Sequence, residues 1–140
     1  MIRRLIIFPQ VLLICILFTK AWGLTNYERC VETYLAKDFT NAYHICKEEK
    51  EPNAQFIIGE MYYNGFGVKK DHAEAARWIR KAAEQDLAEA QFVIGHMYYY
   101  GVGVQEDHAE ALKWCRKAAE YGHIRAKLLR DKILYQEKSN

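Results

Sequence analysis

"YYNGFGVKKDHAEAARW", residues 62–78, returns 36 residues later as "YYYGVGVQEDHAEALKW", residues 98–114. Sliding the chain against itself by that interval extends the match. Ala54–Glu89 agrees with Ala90–Arg125 at 22 of 36 positions. A fixed period of this size marks a stacked architecture, in which one supersecondary unit cannot bury its apolar face until a neighbour covers it. The shared Asp-His pair, Asp71-His72 and Asp107-His108, poses the functional question. It is either chemistry or architecture.

Local patterns favour architecture, because each unit divides into two helices. In the first, Ala54, Ile58, Met61 and Tyr62 recur at spacings of three and four and form one apolar stripe. Gly59 interrupts that helix at a cost of about 1 kcal/mol against alanine, which predicts a close helix neighbour. Gly65-Phe66-Gly67 ends it, and Val68 turns back toward the core. Asp71 then caps the second helix, with Glu74 three residues on, in the pattern of a capping box. Ala75, Trp78, Ile79, Ala82 and Ala83 supply the buried side of that helix. Gly122 closes the second copy, and Asp86 stands at the same place in the first.

These residues resemble the Sel-1-like repeat family, relatives of the tetratricopeptide repeats. The family pattern appears as Ala54, Ile58-Gly59, Tyr62, Gly65-x-Gly67-Val68, Asp71, Trp78, Lys81-Ala82-Ala83 and Ala90, and again through Ala126. Departures are Ile58 for leucine, Glu74 and Glu110 for lysine, and Asp86 for glycine. The resemblance implies an all-α fold, a right-handed α/α solenoid of antiparallel helix pairs, used to bind other proteins. Some cysteine-rich members are linked to penicillin binding or hydrolysis. They carry paired cysteines within each repeat, and this chain does not.

The ends are read separately. Arg3 and Arg4, the apolar run Leu5–Phe18 and the exit Ala21-Trp22-Gly23 form a signal-peptide pattern. Cleavage is expected after Gly23. No membrane span is expected in what remains, since spanning takes about 20 apolar residues. Arg3, Arg4 and Lys20 leave with the leader, so the mature chain has one more acid than base. No basic field remains for nucleic acid. The expected organisation is a signal peptide at 1–23, a degenerate helix pair at 24–53, repeats at 54–89 and 90–125, and a capping helix with a frayed tail at 126–140. In the leading pair, helices over 27–36 and 40–50 flank a tight turn at Lys37-Asp38-Phe39. The final helix is expected over 123–135.

Export implies an oxidising compartment. Cys30 and Cys46 lie equally far from Asp38 on either side, and symmetric positions of an antiparallel hairpin face each other. A Cys30–Cys46 disulfide is predicted; the alternative is two small buried apolar residues. Cys115 takes the place of Ile79 in the other copy, which suggests core filling.

Catalytic constellations are scarce. The one serine, Ser139, sits in the tail, which argues against a serine hydrolase or serine β-lactamase. Cys115 lies seven residues after His108, roughly 10 Å along a helix at about 1.5 Å per residue, too far for a dyad. His72-x-Glu74 and its copy place their side chains two apart, facing different ways. No metal, cofactor or catalytic residue is expected. Binding is expected on the inner face lined by the first helix of each pair. Its stripe holds Phe56, Glu60, Tyr63 and Asn64, with copies Phe92, His96, Tyr99 and Tyr100. Aromatic residues there are candidate hot spots, although the phenylalanines could instead pack between repeats. Glu60 against His96 is the difference that partner selection would use, and His96 would make binding sensitive to pH near 6–7. The expected function is a non-catalytic protein-binding module of a bacterial periplasm or secretome. Alternatives are an immunity protein against a toxin delivered to the periplasm and, by family analogy, a β-lactam-binding or hydrolysing protein.

Overall fold

The computed structural model describes residues 23–139. The expected leader, apart from Gly23, lies outside them. Seven helices follow in order: α1 (Asn26–Leu35), α2 (Phe39–Cys46), α3 (Pro52–Asn64), α4 (His72–Glu84), α5 (Ala88–Tyr100), α6 (His108–Glu120) and α7 (Ile124–Ser139). No strand occurs among the described residues. The helices pair as hairpins α1/α2, α3/α4 and α5/α6, each second helix also packs on the next first helix, and α7 stands as a first helix without a second.

Glycine sets the spacing inside each pair. A Cβ on Gly95 would lie 2.9 Å from Cys115 Sγ and 3.2 Å from the Ala111 carbonyl oxygen, so α5 approaches α6 only because that atom is missing. Gly59 stands in the same relation to Ile79 on α4. The stacking of one pair on the next uses a second glycine. A Cβ on Gly103 would run into the carbonyl of His72, which seats the α5–α6 loop on the first turn of α4. Gly67 seats the preceding loop on Phe39, at the start of α2.

Asp71 does cap α4, its Oδ1 accepting from the amides of Ala73 at 2.9 Å and Glu74 at 3.0 Å. The capping box expected there is only half formed. The Asp71 amide donates instead to Tyr62 O at 2.9 Å, so Glu74 turns to Arg77 at 2.5 Å. Asp107 repeats the arrangement with Glu110, Tyr98 and Lys113. The complete box belongs to Thr25 and Glu28 at the start of α1.

Packing is continuous along the stack. Cys30, Ile58 and Met61 belong to the first cluster; Ile79, Ile94 and Trp114 to the middle; Cys115, Leu129 and Ile133 to the last. Tyr62 joins the first to the middle, and Val93 and Tyr98 join the middle to the last. Cys30 and Cys46 are fully buried and bonded, with their Cα atoms 4.9 Å apart. Lys37 takes positive φ in the turn before α2, and Asp86 takes φ +61° where the second copy has Gly122.

Two boundaries differ from expectation. The second helix of the leading pair ends at Cys46 rather than near residue 50, and Pro52 opens the next helix at its first turn. The last helix runs on to Ser139 instead of fraying from Gln136. Gln136 accepts a hydrogen bond from Tyr99 Oη at 2.7 Å, which ties the final turns to α5. No helix among the described residues is long and apolar enough to cross a membrane.

Candidate functional site

The core stripe of α3 leaves Phe56, Glu60, Tyr63 and Asn64 on a second side of that helix. With Glu89 and Val93 of α5 they line an open cleft of about 240 Å³, floored by Ile79. The cleft exists because α3 and α5 are separated by the α4 helix behind them and touch each other little. Glu60 accepts from Tyr34 Oη at 3.3 Å. Burial raises the Glu60 pKa above the usual carboxylate range; the Tyr34 hydroxyl opposes this and the Glu89 carboxylate adds to it. Burial and the same Glu60 charge push Tyr34 up to about 12. Tyr63 is 36% exposed and stacks on His72 at 4.8 Å between ring centroids.

Glu89 sits at the rim. Burial would raise its pKa, but hydrogen bonds from His123, at 2.7 Å, and Arg125, at 2.5 Å, together hold it below the usual range. Past this rim the face turns basic. His96 and Tyr100 are exposed, their rings 4.5 Å apart. Lys132 of α7 lies 4.9 Å from the Tyr99 centroid and 5.7 Å from that of Tyr100. Burial, then the charges of Lys132 and Arg125, lower the His96 pKa. The pH sensitivity expected of His96 therefore moves below the ordinary imidazole range.

Six of the eight candidate residues present a surface on this face: Phe56, Glu60, Tyr63, Asn64, His96 and Tyr100. Phe92 and Tyr99 do not. Phe92 is 9% exposed, stacked on His123 at 4.7 Å, and Tyr99 is 8% exposed beneath Lys132 and Gln136. Helix α7 covers them as the first helix of a further repeat would, so packing between repeats claims both rings. Three residues that shape the face lie outside the sequence-derived set: Tyr34, Glu89 and Lys132. Glu89 was legible, since its counterpart in the second copy is Arg125 and the reversal of charge marks a position the fold leaves free.

Cys115 is fully buried, and burial pushes its thiol up to about 11, the opposite of what a nucleophile needs. No cluster of three or more metal-ligating side chains occurs among the described residues.

Comparison with known proteins fits the geometry. The Sel1 repeat profile matches residues 52–87 and 88–123, two units in register with α3/α4 and α5/α6. A Sel1 repeat protein from Oxalobacter formigenes superposes with a TM-score of 0.74 at 38% identity, covering 78% of this chain and 46% of that one. A protective antigen of uropathogenic Escherichia coli with the same repeat fold superposes at 0.66 and 35% identity, covering 72% and 22%. Cysteine-rich protein B of Helicobacter pylori superposes at 0.59 and 20% identity, covering 74% and 96%, a likeness of fold alone. The chain thus spans less than half the length of the first two. No curated protein matches it. With two matched repeats over half its length and a solenoid that superposes on solved members, this chain belongs to the Sel1 repeat family, whose members are in general non-catalytic protein–protein interaction modules.

Proposed function

We propose that the chain is an exported, non-catalytic binding module, periplasmic or secreted, that holds one partner protein on the face formed by α3, α5 and the near side of α7. The observation that carries this is the unfilled α3–α5 cleft. The same aromatic positions are covered by α7 in the second repeat and left open in the first. Tyr63, His96 and Tyr100 stay exposed there, and aromatic rings at a rim are what interfaces use. The basic, apolar start of the sequence supports export, and so does a fully buried disulfide, which persists in oxidising compartments.

Two measurements test it. Amino-terminal sequencing of the protein recovered from fractionated cells should begin at Leu24; an unprocessed Met1 in the cytosol would refute export. A photo-crosslinking side chain at Tyr63 or Tyr100 should trap one discrete partner. The same group at Lys113, exposed on α6 away from the face, should not. Equal trapping at all three positions would remove the face from consideration.

A further inference from the structure

The residues of the α3–α5 cleft have counterparts one repeat on, which differ in charge but not in frame. A shift of 36 residues turns Phe56 and Tyr63 into Phe92 and Tyr99, and turns Glu60 and Glu89 into His96 and Arg125. The rings are kept and both acids become bases. In the second copy α7 covers the aromatic sites with the chain's own cations. The Arg125 guanidinium lies 4.7 Å from the Phe92 centroid, and Lys132 Nζ lies 4.9 Å from that of Tyr99. Both contacts are cation–π. The α3–α5 cleft has the same rings without the cations, because the counterparts of Arg125 and Lys132 there are Glu89 and His96.

It also holds a carboxylate without a positive partner. Glu89 is paired with Arg125 and hydrogen-bonded to His123, whereas no lysine, arginine or histidine pairs with Glu60 among the described residues. A half-buried carboxylate that lacks a cation keeps a desolvation cost that an incoming cation relieves. The raised pKa of Glu60, caused first by burial and further by Glu89, is that cost seen as proton affinity.

We infer that the α3–α5 cleft receives an arginine side chain from an extended segment of the partner, its guanidinium on Glu60 and against the Tyr63 ring. This rests on the face proposed above. Arginine suits the cleft better than lysine. Its planar fork pairs with a carboxylate through two bonds, stacks on a ring and is weakly hydrated. Its methylene stem lies along Val93 and Ile79 in the way long cationic side chains cover apolar surface. A metal ion is a poorer occupant, since no group of three ligands assembles among the described residues. Beyond the cleft the partner meets His96, Tyr100 and Lys132, which favour an acid. The expected segment carries arginine and, further along the chain, an aspartate or glutamate.

The test selects displayed random peptides on the immobilised, disulfide-intact protein. Enrichment of arginine over lysine, in peptides that also carry an acid, is expected. Glu60→Gln should weaken the selected peptides roughly tenfold to a hundredfold, the worth of one charge-assisted hydrogen bond. Peptides that lose binding on Tyr63→Ser or Tyr100→Ser but show no arginine preference, or that ignore Glu60→Gln, would overturn this inference and leave the binding face standing. An absence of enrichment, or peptides indifferent to every change on the face, would overturn both. A second arm needs no selection. N-acetyl-arginine methylamide, followed by NMR, should shift the Tyr63 ring and Glu60 signals in the native protein and not in Glu60→Gln. Its neutral citrulline analogue should shift neither, and equal shifts from both compounds would rule out charge recognition.

Discussion

Replacing Gly95 with alanine tests the packing that spaces the repeats. In an exposed helix the change would stabilise by about 1 kcal/mol, the helix-propensity gap between the two residues. Here the new Cβ meets Cys115 Sγ at 2.9 Å, the Ala111 carbonyl oxygen at 3.2 Å and the Cys115 amide nitrogen at 3.4 Å. The first contact is too short to persist, and Cys115 is fully buried within the last apolar cluster. Overpacking of this kind costs about 1–3 kcal/mol, so Gly95→Ala should destabilise by about 1 kcal/mol net. Cys115→Ala removes the offending atom and leaves a one-atom void worth about 1 kcal/mol. In that background the methyl group introduced by Gly95→Ala enters space the sulfur vacated. The propensity gain then dominates, and Gly95→Ala should stabilise by up to about 1 kcal/mol. The sign of one mutation thus reverses with its neighbour, a coupling of about 2 kcal/mol. Urea unfolding of the four proteins, disulfide intact, measures the cycle. In thermal unfolding each kcal/mol should appear as about 4 °C in Tm for a domain of this size. Agreement of the two Gly95→Ala effects within about 0.5 kcal/mol would refute the claim that this glycine exists for helix approach.

Two further outcomes follow from the ends and the face. Cleaving the Cys30–Cys46 bond, by reduction or as the double serine variant, should cost about 3 kcal/mol for a loop of about 15 residues; denaturation with and without reductant checks it, and an unchanged midpoint would deny the staple. Glu60 has a folded pKa above its unfolded value. The folded state therefore binds more protons than the unfolded one between the two, and stability falls as pH rises from about 4.3 through the raised value. Glu60→Gln should be more stable than the native protein at pH 7, with the gap closing below about pH 4. A variant less stable at pH 7 would mean that the carboxylate is satisfied in the free protein.

Much of the solenoid could be read from the 36-residue interval. Identity at Gly59/Gly95, Gly67/Gly103 and Asp71/Asp107 reports backbone positions where one residue type alone fits: a close crossing, a loop seated on a neighbouring helix start, a cap. The disulfide was legible because two residues equidistant from a turn must face each other. The candidate face was legible in part. Helical spacing separated the stripe of Phe56, Glu60 and Tyr63 from the core stripe, yet it treated both copies alike. The structure splits them, because α7 lies over Phe92 and Tyr99 while the rings of the first copy stand at the edge of an open cleft. The capping box failed for a related reason. The Asp71 amide finds Tyr62 O across the loop, a partner that no helix-start pattern contains.

The sequence by itself determined the repeat, its helices, the approach points marked by glycine and the crosslink, because each depends on residues near in the chain or on a strict period. Tertiary structure alone decided which aromatic rings are surface, that Glu60 lacks a cation while Glu89 has two partners, and that Arg125 and Lys132 cover the rings of the second copy. Those properties depend on residues from three or more helices brought together by stacking. Desolvation and charge pairing act through space, so no spacing along one helix encodes them.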